Sequence, residues 1–133
     1  MPGIVARQFT LGKNERLKSR KSIEQLFDTG QKIMTAPYRV LYVLTKPALT
    51  PSLLFGTGVS SKNFKKAVDR NRIKRLTKEV YRLQKKQLQQ KVISNDSQLN
   101  VFFIYAGKTM PAYFEVYKKI GAVLKKLEKL VEQ

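Results

Sequence analysis

The sequence predicts an α+β fold: an α-β-β-α-β-α sandwich with helices packed on one small central sheet. Three observations carry that expectation. The run Tyr38–Leu44 is dense in β-branched and aromatic residues, which suit a pleated surface. Leu99–Tyr105 is an almost continuous apolar run, the pattern of a strand covered on both faces. Two longer stretches, from Ala67 and from about Ala112, repeat apolar residues at the 3.6-residue period of a helix. With 133 residues, 42% of them hydrophobic, the chain is long enough to bury one core without staples.

The elements follow in order. Residues 1–20 carry Arg7, Lys13, Arg16, Lys18 and Arg20 with few apolar anchors beyond Phe9 and Leu11. They read as a mobile basic arm ahead of a single domain over residues 21–133. The first helix starts near Ser22, whose side chain caps it while Gln25 reaches back. It presents Ile23, Leu26 and Phe27 and stops at Gly30, read as a left-handed terminator. In the first strand Tyr38, Val40, Tyr42 and Leu44 line one face and Arg39, Leu41 and Val43 the other. Lys46–Pro51, with two prolines, turns into a second strand over Leu53–Ser60. Gly56 and Gly58 there share a face. They mark either a flat patch open to another backbone or a ligand, or a bulge or barrel-like bend.

The basic helix comes next, and Ser94–Ser97 is a polar break before the Leu99–Tyr105 strand. After Gly107–Pro111, the last helix repeats Tyr113, Val116, Tyr117, Ile120, Val123, Leu124, Leu127, Leu130 and Val131 at helical spacing. Lys118, Lys119, Lys125, Lys126 and Lys129 occupy its outer side.

Charge narrows the function. The net charge is +18, from 27 Lys and Arg against 9 Asp and Glu. Such a balance attracts nucleic acid or an anionic membrane. No apolar run approaches the roughly 18 residues of a spanning segment, and no signal-peptide h-region precedes the domain, so a cytoplasmic location without membrane contact is expected. The absence of Cys and His removes thiol nucleophiles, zinc clusters and the commonest general base. The acids are scattered, without the clustered carboxylates that clamp the ions of a two-metal nuclease. No self-contained catalytic centre is therefore expected in the protein.

The basic helix concentrates the charge. From Lys62 to Lys91 there are twelve Lys or Arg against Asp69 and Glu79, a net of +10. Ile73, Leu76, Val80 and Leu83 share one face, while Arg70, Lys74, Lys78, Arg82 and Lys86 form an i, i+4 stripe widened by Asn71, Arg72 and Arg75. Solvated faces usually mix signs, and this one does not, so the stripe points to a polyanion. Arg70, Arg72 and Arg75 suit forked phosphate contacts; Lys62, Lys74 and Lys78 suit general attraction. The Asn71 amide either reads a base edge or braces the backbone. Phe27, Tyr38, Val40 and Tyr42 either line a groove for unpaired bases or are ordinary core.

The run Phe64-Lys65-Lys66-Ala67-Val68-Asp69-Arg70-Asn71-Arg72-Ile73-Lys74-Arg75-Leu76-Thr77-Lys78-Glu79 closely resembles the signature helix of the bacterial ribonuclease P protein subunit. The resemblance extends to Leu17–Gly30, to Gly58-Val59-Ser60-Ser61-Lys62 and to the element order. It implies a mixed central sheet with a left-handed βαβ crossover, like the second domain of ribosomal protein S5. Spacing alone would not suggest that hand, since crossovers are generally right-handed. It also implies an endoribonuclease, a ribonucleoprotein that processes precursor tRNA by removing its 5′ leader. In that assembly the RNA subunit performs the hydrolysis with bound Mg2+, and one protein sits on each catalytic RNA.

By resemblance, Lys66, Arg70, Asn71, Arg72, Lys74, Arg75 and Lys78 bind the catalytic RNA. Ile23, Phe27, Val40 and Tyr42, bordered by Ser61 and Lys62, hold the leader of the precursor tRNA. Neither catalytic residues nor metal ligands are implied in the protein itself. Two positions depart from the family pattern: the first groove position, often aromatic, is Ile23, and position 78, often Arg, is Lys78. A structural RNA-binding protein such as a ribosomal one shares the charge and the build, and is the alternative.

Overall fold

The computed structural model describes residues 15–17 and 19–133. Its elements are α1 (Arg20–Thr29), β1 (Gln31–Thr35), β2 (Tyr38–Thr45), β3 (Ser52–Val59), α2 (Ala67–Gln84), α3 (Lys86–Ser94), β4 (Gln98–Tyr105) and α4 (Tyr113–Glu132). The strands form one mixed sheet in the order β1-β2-β4-β3. β1 and β4 flank β2 antiparallel, while β3 runs parallel to β4 after a crossover through α2 and α3. The α+β class and the helix-on-sheet layering are as expected.

Pleat geometry divides the sheet. On one face Tyr38, Val40, Leu53, Phe55, Leu99, Val101, Phe103 and Tyr105 pack under α2, α3 and α4 in a single core. The helices meet them with Ile73, Val80, Tyr81, Leu88, Val92, Val116, Ile120 and Leu127, all but completely buried. Tyr81 stacks on Phe55, with ring centroids 3.9 Å apart and planes 9° from parallel. The Thr77 hydroxyl donates to the Ile73 carbonyl at 2.9 Å, leaving its oxygen to accept from the Tyr38 hydroxyl at 2.8 Å. Desolvation at that buried position pushes the Tyr38 phenol up to about 12, the Thr77 bond opposing the shift. The opposite face carries a smaller cluster in which Leu41 meets Leu17 and Leu26, with Ile23, Val43, Leu54, Phe102 and Ile104 around them.

Several elements differ from expectation. β1 pairs with β2 along its whole length and precedes the two expected strands. As an edge strand with mostly exposed side chains, it has no apolar alternation to betray it. The basic helix is two helices that abut at Lys85. On α2 the buried residues are Ile73, Thr77, Val80 and Tyr81, while Leu83 is exposed. Tyr113 and Tyr117, expected on the apolar face of the last helix, are also exposed. α1 begins earlier than expected because Ser19 caps it, its hydroxyl accepting from the Ser22 N–H at 3.3 Å. Gly30 is extended (φ −67°) rather than left-handed, and its N–H closes the helix on the Leu26 carbonyl at 3.1 Å. A side chain at Gly30 would strike that same carbonyl.

The arm expected over 1–20 is anchored where it is described. Arg16 bridges to Phe55 in parallel pairing, and the Leu17 N–H donates to the Phe55 carbonyl at 2.8 Å. Glu15 pairs with the buried Lys85 ammonium and accepts from the Gln89 amide at 2.8 Å. Residues 1–14 and 18, which carry the rest of the expected arm, lie outside the described residues.

Candidate nucleic-acid interface

Among the described residues α1 covers only part of its face of the sheet, and the rest of that face is a groove. Leu17, Ile23, Gly56, Thr57 and Phe102 line a cavity of about 270 Å³, with Arg16 and Lys78 supplying its cationic groups. The floor is set by two missing side chains. A Cβ on Gly56 would sit 2.7 Å from the Phe102 ring, and one on Gly58 would sit 3.3 Å from it. The two glycines therefore seat Phe102, whose ring occupies the patch that the sequence left open for a bulge or a ligand. Phe27 stands edge-on to the same ring, centroids 5.7 Å apart, and stays 53% exposed. The result is an aromatic wall beside cationic side chains, which suits unpaired bases and their phosphates.

Val40 and Tyr42 do not belong to this groove. Tyr42 pairs across the sheet with Val101, and both point to the three-helix face. Val40 is fully buried there, and Tyr42 is half-buried against the same core. Strand alternation places them opposite Ile23 and Phe27, so Leu41, Phe102 and Gly56 hold the positions first expected of them. Ser61 and Lys62 are exposed in the turn that follows β3, toward which Gly58 leads.

The α2 stripe separates into distinct roles. Asn71, Arg72, Arg75 and Lys78 are exposed and Lys74 is half-exposed. Among the described residues none of these has a carboxylate partner. Lys66, exposed, is the N-cap residue of α2 without a capping side chain, so the helix start offers uncapped N–H groups among cations. Arg70 is different. Its guanidinium donates to the Phe64 carbonyl at 2.8 Å and the Lys65 carbonyl at 2.7 Å, bracing the turn that feeds α2. Lys78, expected at the catalytic RNA, lines the α1 groove.

Two cations farther along, Lys85 and Lys91, are internally satisfied, while Lys86 is exposed. Lys85 is buried against Glu15, and Lys91 contacts Glu128 at 3.2 Å and Glu132 at 2.5 Å. Those hydrogen bonds, Glu132 first, hold the Lys91 ammonium above its ordinary range. Among the described residues no three His, Cys, Asp or Glu side chains come together as metal ligands, and no helix is long and apolar enough to cross a membrane.

The family model of ribonuclease P matches residues 11–128, nearly the whole chain. The chain belongs to the ribonuclease P protein family. It is 32% identical over 105 residues to the ribonuclease P protein component of Porphyromonas gingivalis, covering 79% of this chain and 77% of the relative. A second relative, the ribonuclease P protein component of Chlorobaculum tepidum, is 28% identical over 139 residues, with 95% and 89% of the two chains covered. Among solved structures, the Staphylococcus aureus ribonuclease P protein superposes with a TM-score of 0.65 at 20% identity, covering 86% of this chain and 95% of that one. That likeness bears out the fold. Membership implies an RNA partner, and the groove and the exposed half of the stripe are surfaces whose chemistry fits one.

Sequence reasoning missed Phe102, Thr57 and Leu17 as groove residues. Phe102 hides inside an unbroken apolar run, where no alternation separates one face from the other. The signal that points to it is the pair Gly56 and Gly58, whose strand must have a large neighbour to fill the space they leave.

Proposed function

We propose that this protein binds the catalytic RNA of ribonuclease P through α2 and holds the 5′ leader of precursor tRNA in the α1 groove. It thereby assists endonucleolytic removal of the leader, while the RNA subunit hydrolyses the phosphodiester bond. The observation that carries the reading is the pairing of surfaces within a member of this family. An aromatic groove with Arg16 and Lys78 in its lining adjoins a helix whose Asn71, Arg72, Lys74 and Arg75 have no carboxylate partner among the described residues. In this reading Lys66 and Arg70 add charge where α2 begins, and Ser61 and Lys62 extend the leader path beyond Gly58.

The mechanism is positional. Each base stacked on Phe27 or Phe102 contributes about 1–3 kcal/mol without demanding a particular sequence. Lys78 offsets phosphate repulsion where the leader passes the catalytic RNA. Fixing the leader lowers the entropy cost of bringing the scissile phosphate to the reacting centre. Magnesium, which polarises the phosphate and activates water in such hydrolyses, belongs on the RNA in this reading. The protein's scattered carboxylates do not fit a metal site, so no step is assigned to a protein-bound ion.

Reconstitution tests the proposal. Purified protein added to its cognate RNA should lower the magnesium needed for leader removal, and protein alone should cleave nothing. Turnover by RNA-free protein would overturn the assignment of chemistry to the RNA. Absence of any effect on leader removal would favour a structural RNA-binding role instead.

A further inference from the structure

A second surface, away from the α1 groove, carries the same combination of chemistry. Phe114, Tyr117, Lys118, Gly121, Ala122 and Lys125 of α4, with Gln84 at the end of α2, line an open groove of about 420 Å³. Phe114 is 77% exposed, the most exposed aromatic side chain among the described residues, and Tyr117 is 43% exposed. A helix that only packed against the core would place polar residues here. Gly121 and Ala122 keep the floor low between the aromatic and lysine side chains. Gln84 fixes the junction of the two helices: its amide donates to the Tyr117 carbonyl at 3.1 Å, and its oxygen lies where a Gly121 side chain would have to go.

The charge of the groove selects its occupant. Among the described residues neither Lys118 nor Lys125 has a carboxylate partner. Glu115 is absent from the lining. Glu128 and Glu132 are engaged by Lys91. A second copy docked here would bring lysine against lysine. A run of unpaired nucleotides presents aromatic faces for Phe114 and Tyr117 and successive phosphates for the two lysines. Gln84 makes the surface continuous with α2, the helix assigned above to the catalytic RNA.

We propose that the α2–α4 groove is a further binding site for unpaired nucleotides of the catalytic RNA, with Phe114 as the stacking residue and Lys118 and Lys125 as phosphate contacts. This rests on the reading of α2 as the helix that grips that RNA. The footprint of the RNA then runs from the exposed flank of α2 onto α4, and the leader lies on the other side of the sheet.

The test compares full-length variants for affinity to the cognate catalytic RNA in the absence of substrate. Phe114→Ala should weaken binding about five- to tenfold, the lower part of the range for a lost stacking contact, with the salt slope unchanged. Phe114→Tyr should restore most of the loss. The double variant Lys118→Ala/Lys125→Ala should lower the salt slope by about 0.7 per lost phosphate contact, and it stands as a separate test should Phe114→Ala alter the fold. Arg72→Ala serves as the reference. If it weakens binding while the Phe114 and lysine variants do not, the α4 site is overturned and the α2 reading stands. If Arg72→Ala also leaves affinity unchanged, the α2 reading itself fails. Loss of self-association or of precursor-tRNA binding alone in Phe114→Ala would assign the groove to another occupant and overturn the proposal.

Discussion

On one side of the sheet Val40, Val101 and Phe103 are fully enclosed by three helices; on the other, among the described residues, Leu41, Phe102 and Ile104 are covered by α1 and Leu17, and Phe102 and Ile104 stay half-buried. The two sets come from the same strands, one residue apart. Their difference teaches how a chain of 133 residues can be both stable and receptive. Stability is concentrated where large aromatic and aliphatic side chains interdigitate without solvent. The other face keeps a ring accessible, and that ring is held by neighbours rather than enclosed. Adjacent positions in β4 should therefore answer the same substitution in opposite ways.

The largest contrast is expected between Phe103→Ala and Phe102→Ala. Removing the fully buried ring should cost about 3–5 kcal/mol in denaturant unfolding, whereas the half-buried one should cost roughly half as much. Equal losses would mean that the α1 face is as sealed as the other.

An alkaline titration should separate the faces next. Tyr38 lies on the sealed side, and its phenol is raised from 10.0 to about 12, chiefly by desolvation. Burial raises Tyr81 in the same direction. The fold favours the neutral phenol, so its contribution is whole below pH 10 and is lost as pH rises from there through about 12. The Tyr38 share should approach roughly 3 kcal/mol, at about 1.4 kcal/mol per pH unit. Urea unfolding across that range should show the decline, and Tyr38→Phe should remove the Tyr38 share and leave that of Tyr81, at a neutral-pH cost of about 1 kcal/mol for the lost Thr77 bond. A pH-independent difference between the two proteins would contradict the burial argument.

Substitutions on the open face should act on ligand more than on fold. Phe27→Ala should reduce affinity for precursor tRNA carrying a long leader by about five- to tenfold and leave leaderless tRNA unaffected. Tyr42→Ala, which the sequence placed in the same groove, should instead lower stability and spare the leader preference. Reversed behaviour would exchange the two faces.

The smallest expected effect is on α2. Arg72→Ala should reduce the salt slope of catalytic-RNA binding by roughly 0.7–0.9 without lowering the melting temperature. Arg70→Ala should lower both affinity and stability, because its guanidinium also holds two loop carbonyls. Identical thermal behaviour of the two variants would remove the distinction between brace and contact.

Periodicity made much of this legible. α2 and α4 announce themselves by apolar spacing, β4 by its unbroken run, and the cationic flank of α2 by unopposed charge. Alternation correctly grouped Tyr38, Val40 and Tyr42, yet it says only which residues share a face. Which helix lands on that face is a matter of chain path, and this is why Val40 and Tyr42 were expected beside Phe27. β1 was invisible because an edge strand needs no apolar stripe. Lys85 counted among the unopposed cations from Lys62 to Lys91, since nothing local shows that Glu15, seventy residues earlier, reaches it.

The short pairing of Arg16 with Phe55 has a consequence for solution behaviour. β3 would otherwise end the sheet with a row of open backbone donors and acceptors, a template for another chain's strand. The chain's own segment occupies part of that row, and Leu17 covers apolar surface beside it. At the far edge, β1 is only five residues long and carries Lys32. Removal of the residues before Ser19 should thus leave the sheet more inclined to pair edge to edge, with turbidity rising with protein concentration as the visible sign.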